Sequence, residues 1–158
     1  MLIAKSLKYT FISEPITSHP APHFLTGTSK PLEYLGPPPV ASDRQARPFS
    51  PAVRAGDLIY VSGQVPTNAQ GEIVAGGIEA QTRQVMDNLK AVLALAGATF
   101  DDVCKCTCWL QDARDFGAFN RIYMSYFPNG RPARSTTEAR LMVDAKVEID
   151  AVAYKPKS

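Results

Sequence analysis

Pro132-Ala133-Arg134-Ser135-Thr136 sets a guanidinium at the head of a β-branched stretch that reads as a half-buried strand. An unpaired cation in such a place is costly, so Arg134 calls for a partner. One option is internal, a salt bridge to Glu138, Asp150 or another acid. The other is external: the planar fork of arginine suits the carboxylate of a small organic acid better than the point charge of lysine does. Glu148 is the second chemically useful group. In Val147-Glu148-Ile149-Asp150-Ala151-Val152-Ala153-Tyr154 it alternates with apolar residues and falls, with Asp150, on the face away from the core. Covered by another surface, Glu148 becomes a partly buried carboxylate able to hold or activate water; uncovered, it is a solvated strand glutamate. Ser62-Gly63-Gln64 adds a hydroxyl and a backbone amide open to close approach, although glycine at a strand end also serves as a plain bulge.

Cys104, Cys106 and Cys108 invite a metal reading that spacing opposes. Side chains at i, i+2 and i+4 of a strand stand roughly 6.5 to 7 Å apart, too far for thiolates to share one zinc ion. Extended i, i+2 neighbours cannot form a disulfide either. The three are expected to be a buried, reduced stripe in a cytoplasm-like compartment, with redox-sensitive thiols as the alternative. No phosphate-binding loop occurs, because Gly76-Gly77 lacks the remaining spacing and the following lysine.

The chain has 158 residues, and both histidines, His19 and His23, lie in its first third. From residue 52 onward, 12 Lys and Arg balance 12 Asp and Glu. The missing imidazoles exclude serine or cysteine triads and histidine metal sites from this body. Its neutrality weighs against nucleic-acid binding, which needs a net basic face. No apolar run reaches membrane-spanning length.

The elements that must position these groups follow from periodicity. Val53 to Ser62 reads as a hairpin around Gly56-Asp57, and Asn68 to Gly71 as a further turn. Ile78, Thr82, Val85, Met86, Leu89, Val92, Leu93 and Ala96 make a helical stripe that Gly97 ends. Val103 to Leu110 is a strand. Asp112 or Asp115 caps a second helix with an aromatic stripe, Phe116, Phe119, Ile122, Tyr123, Tyr126 and Phe127, ending at Pro128. Strands near Ser135 to Leu141 and Lys146 to Tyr154 complete an α+β sandwich, two helices on one face of a mostly antiparallel sheet. The other face, carrying Tyr60, Trp109, Tyr154 or the cysteines, requires cover, and self-association is the economical way to supply it.

Nine of the 13 prolines fall in the first 51 residues. Residues 1–46 therefore read as a proline-rich leader, disordered or extended, with Pro37-Pro38-Pro39 in polyproline II conformation, and residues 47–158 as one domain. The leader has no uninterrupted apolar core or cleavage pattern, which argues against secretion. Its first 30 residues are poor in acid and rich in Ser and Thr, as organelle transit peptides are, but contain no arginine. The expected compartment is the cytoplasm, with organelle targeting as the alternative.

Ala55 to Pro66, Gln81 to Leu89, Pro132-Ala133-Arg134-Ser135 and Val147 to Ala151 together resemble the RidA/YjgF family of enamine/imine deaminases, over about Arg47 to Lys155. The resemblance implies a chorismate-mutase-like fold, a homotrimer with a ligand cleft at each interface, and no cofactor. It implies hydrolysis of 2-aminoacrylate-type enamines and imines to 2-oxo acids and ammonia. By position, Arg134 resembles the arginine that clamps the substrate carboxylate, Glu148 the water-positioning glutamate, and Ser62 and Gly63 cleft-lining residues. Phe49 stands where many members have tyrosine, and Thr136 where some have cysteine; both departures bear on substrate choice more than on reaction type. The alternatives implied are a deaminase for a larger amino-dienoate such as 2-aminomuconate, a ribonuclease or translation inhibitor, and a small-acid-binding protein.

Overall fold

The computed structural model describes residues 32–37 and 48–157. Six strands form one sheet: β1 (Glu33–Leu35), β2 (Ala52–Ala55), β3 (Leu58–Gln64), β4 (Val103–Leu110), β5 (Ala133–Glu138) and β6 (Val147–Tyr154), in the spatial order β1-β2-β3-β6-β4-β5. Only the edge pair β4 and β5 is parallel. Two helices, α1 (Ile78–Leu95) and α2 (Phe116–Ser125), pack together on one face. Apart from residues 32–37, the leader expected at residues 1–46 lies outside the described residues. Glu33–Leu35 pairs with β2 as an edge strand, an element that the proline-rich sequence around it conceals.

Gly56 turns the β2–β3 hairpin at φ +61°, as the Gly-Asp pair requires. Helix α1 buries Val85, Met86, Leu89 and Leu93 against the sheet. It ends where Gly97 adopts φ +66°, with Ala98 N–H donating to the Leu93 carbonyl and Gly97 N–H to the Ala94 carbonyl. That double bond pattern satisfies carbonyls which the end of a helix would otherwise leave unpaired. Asp112 caps a short 3₁₀ turn at Ala113–Asp115 by accepting from Arg114 N–H, and α2 follows directly.

The inward sheet face carries Ile59, Val61, Cys106, Cys108, Leu110, Val147, Ile149, Ala151 and Ala153, all buried. Tyr60 and Tyr154 point outward and are about half exposed. Trp109, in register with Glu148 and alternating with buried Cys108 and Leu110, shares that outward face. Arg54 is buried, its Nη1 donating to the Lys155 carbonyl at 2.6 Å and its Nη2 to the Ala96 carbonyl at 2.8 Å, so β2 is tied to the end of α1 and to the final strand.

Two expectations change. Strand β5 begins at Ala133 rather than near Ser135 and stops at Glu138, which puts Arg134 within the ladder opposite Cys106. The cysteines do not share one face: the β4–β6 register shifts between Val103 and Lys105, so Val103 turns inward and Cys104 is left exposed. A bulge adds one residue and breaks the period of two on which the sequence reading relied.

Leu89 is enclosed between α1 and the sheet, whereas Leu95 is about half exposed. Leu89→Ala is expected to lower the unfolding free energy by about 2–5 kcal/mol, and Leu95→Ala by less than about 0.5 kcal/mol. Urea unfolding of both variants beside the wild type checks this.

Candidate active site

Strand β3 carries a register shift between Val61 and Gln64, where it faces β6. The extra residue brings Gly63 under the side chain of Glu148. A Cβ built on Gly63 would lie 2.1 Å from Glu148 Oε1, so only glycine allows the carboxylate to rest there. Ser62 next to it donates its hydroxyl to the Ser50 carbonyl at 2.7 Å and its N–H to the Pro51 carbonyl at 3.0 Å. Those bonds fasten the segment holding Phe49, whose ring is 50% exposed, alongside this point. Ser62 and Gly63 thus adjoin Glu148, and Phe49 immediately precedes the segment bonded to Ser62.

The Glu148 carboxylate makes no hydrogen bond or ion pair with any described residue. Partial burial, with the negative charge of Asp150 adding to it, raises its carboxyl above the usual carboxylate range. Asp150 itself is held, its Oδ1 accepting from Thr107 N–H at 2.9 Å.

Arg134 is elsewhere. It pairs with Cys106, which pairs with Ala151, while Glu148 pairs with Trp109. Two strand spacings across and three residues along put roughly 14 Å between the Arg134 and Glu148 backbones. An offset of three residues also sends the two side chains to opposite faces. Arg134 lies on the helix side, its guanidinium carbon 4.7 Å from the Tyr123 ring centroid, 5.4 Å from Phe119 and 5.6 Å from Phe116. Of the two options for Arg134, the salt bridge to Glu138 or Asp150 is not formed: Glu138 accepts from Ala113 N–H and Asp150 from Thr107 N–H. Among the described residues Arg134 has aromatic neighbours but no anion. Thr136, two residues on, turns to the same side, and its buried Oγ1 has no hydrogen-bond partner there.

The aromatic stripe of α2 therefore forms the floor beneath a cation. Face-on aromatic contact stabilises a guanidinium without neutralising it, so the charge remains available to an incoming carboxylate. Asn120 Oδ1 is also buried without a partner. Asn120 sits four residues after Phe116 and three before Tyr123, on the helical face that meets Arg134. It was not singled out from the sequence; the signal was a lone amide within an otherwise aromatic stripe.

Burial, followed by its neighbour Cys106, pushes the Cys108 thiol up to about 12. Burial likewise raises Cys106. Neither is poised as a thiolate nucleophile. A cavity of about 380 Å³ opens between β1, the C-terminal end of α1 and the last residues described, and includes none of these groups.

The family model described as endoribonuclease L-PSP matches residues 41–155. The 2-iminobutanoate/2-iminopropanoate deaminase of Mus musculus is 41% identical over 110 residues, 68% of this chain and 82% of that protein. The 3-aminoacrylate deaminase RutC of Acinetobacter baylyi is 38% identical over 120 residues, 75% of this chain and 90% of that protein. The crystal structure of E. coli TdcF with bound serine superposes with a TM-score of 0.65 at 34% identity, covering 69% of this chain and 89% of that one.

Two measurements test this arrangement. In native protein maleimide is expected to reach no thiol other than Cys104, with Cys106 and Cys108 reacting only after unfolding; mass spectrometry of the labelled peptides reads this. Glu148→Gln is expected to stabilise the fold at neutral pH, the gain vanishing in acid. A carboxyl whose folded value is raised binds protons more readily in the folded state, so the wild type loses stability as pH rises through that range. Parallel pH series of urea midpoints for the two proteins decide it.

Proposed function

The chain belongs to the endoribonuclease L-PSP family, and on that premise we propose that it hydrolyses small enamine and imine acids to 2-oxo acids and ammonia. What carries the reading is that, among the described residues, neither the cation nor the carboxylate suited to this chemistry, Arg134 and Glu148, forms an ion pair. The relatives named as deaminases act on substrates of this class.

The reaction follows from these groups. An enamine first tautomerises to its imine. Arg134 takes the substrate carboxylate in its fork, with the rings of Phe116, Phe119 and Tyr123 behind it. The imine reacts as its iminium, protonated by solvent: Glu148 accepts a proton from water as the water oxygen bonds to the iminium carbon, and the C=N π pair passes to nitrogen and neutralises it. The resulting carbinolamine collapses: an oxygen lone pair forms the C=O bond as the C–N bond breaks, ammonia leaves with the proton returned by Glu148, and the hydroxyl proton passes to bulk water. A carboxyl raised by burial is a better base than an exposed one. The substrate is reactive already, so positioning and one general base supply enough acceleration.

Within one chain Arg134 and Glu148 stand on opposite faces. The reading therefore requires Arg134 of one copy to approach Glu148 of a second, in a homotrimer with clefts between subunits. The outward faces of Tyr60, Trp109 and Tyr154 are the apolar surface such an assembly would cover. Ser62 and Gly63 line the Glu148 side, Thr136 the Arg134 side, and Phe49 the mouth.

Purified protein added to an enamine generated in situ is expected to speed release of ammonia and 2-oxo acid. Arg134→Ala should return the rate to background, and Glu148→Gln should lower it by about 10²- to 10⁴-fold. Equal rates with and without Arg134 would overturn the assignment. A mixture of the two inactive variants should regain part of the activity, since mixed trimers contain clefts with both native groups; no recovery after subunit exchange would place the site within one chain.

A further inference from the structure

Asp150 stands two residues from Glu148 on the same face of β6, and its place is held by the Thr107 N–H at 2.9 Å. That bond fixes the Asp150 carboxylate in place on the outward face. Trp109 lies directly across from Glu148 in the β4–β6 ladder, where Cβ atoms are roughly 5 Å apart. Gly63 lies beneath. Glu148 therefore has a tryptophan across from it, a glycine floor and one fixed anion.

The other charged groups nearby are engaged elsewhere. Lys105 on β4 stands opposite Val152 and donates from Nζ to the Cys106 carbonyl and Ser135 Oγ. Lys146, just before β6, turns toward Asp115 at 3.9 Å. Ser62 and Gly63 on β3 carry no charge.

We propose that Asp150 is a positioning residue acting through Glu148: its anchored negative charge makes Glu148 hold the proton taken from water until the departing amine receives it. The inference rests on the deaminase reading for its purpose. When substrate is bound, its own carboxylate answers the incoming Arg134, which leaves Asp150 as the charge that governs Glu148. The raised proton affinity of Glu148 agrees with this arrangement.

Asp150→Asn is the informative change, because the amide oxygen can still accept from Thr107 N–H while the charge is lost. The Glu148 carboxyl carbon is followed by ¹³C NMR across pH and assigned by its absence in Glu148→Gln. The expected result is a Glu148 midpoint at lower pH in Asp150→Asn, with the acid limb of kcat/KM moving the same way. Emission from Trp109, the one tryptophan in the chain, should follow the same midpoint and lose the transition in Glu148→Gln. Should the asparagine variant not fold, Asp150→Ser removes the charge without added bulk and is read identically. Coincident midpoints in wild type and variant would overturn the role of Asp150. Wild-type protein with no deaminase activity would instead overturn the reading on which its purpose rests, and the NMR midpoints separate the two failures.

Discussion

Side chains alternate across a strand, and that alternation governs everything else here. Six strands have one face closed by two helices, so each residue of β3, β4, β5 and β6 is committed either to the core side or to the outward side. Arg134 and Glu148 fall on different sides. No rotamer of either side chain can carry it through the sheet, so any chemistry that needs both must recruit a second copy.

Each side is built for its own group. On the helix side, a stripe of aromatic residues spaced three and four apart on α2 serves the core and also supports the Arg134 cation. The same helix face therefore stabilises the fold and backs the guanidinium with rings. On the outward side, the β3 register shift and Gly63 let Glu148 lie close to the backbone, where partial burial and Asp150 make it a stronger base than a solvated glutamate. A charge left without an ionic partner costs stability, and among the described residues both groups are left so. Such a cost is usual where binding or proton transfer needs an uncommitted charge.

Regular periodicity was legible in the sequence. The α1 stripe, its Gly97 stop, the β2–β3 turn at Gly56 and the inward set of β6 all follow from spacings of 3.6 or two residues and from glycine at positive φ. What escaped were interruptions of period. Cys104 lost its inward place to a bulge, and the edge strand Glu33–Leu35 sits among prolines that point to irregular chain. Asn120 was overlooked because an amide within an aromatic stripe looks like a tolerated exception until its burial without a partner is seen.

The sequence by itself determined the class of the fold and the absence of imidazole from the body, and it nominated Arg134 and Glu148 as the candidate cation and carboxylate, since these depend on residue type and local spacing. Only the tertiary structure decided that Arg134 has rings and, among the described residues, no acid paired with it, that Glu148 rests on Gly63, and that the two groups face apart. Those facts depend on strand order and register, which join residues far apart in the chain. Alternation within a single strand cannot say which strands will be neighbours.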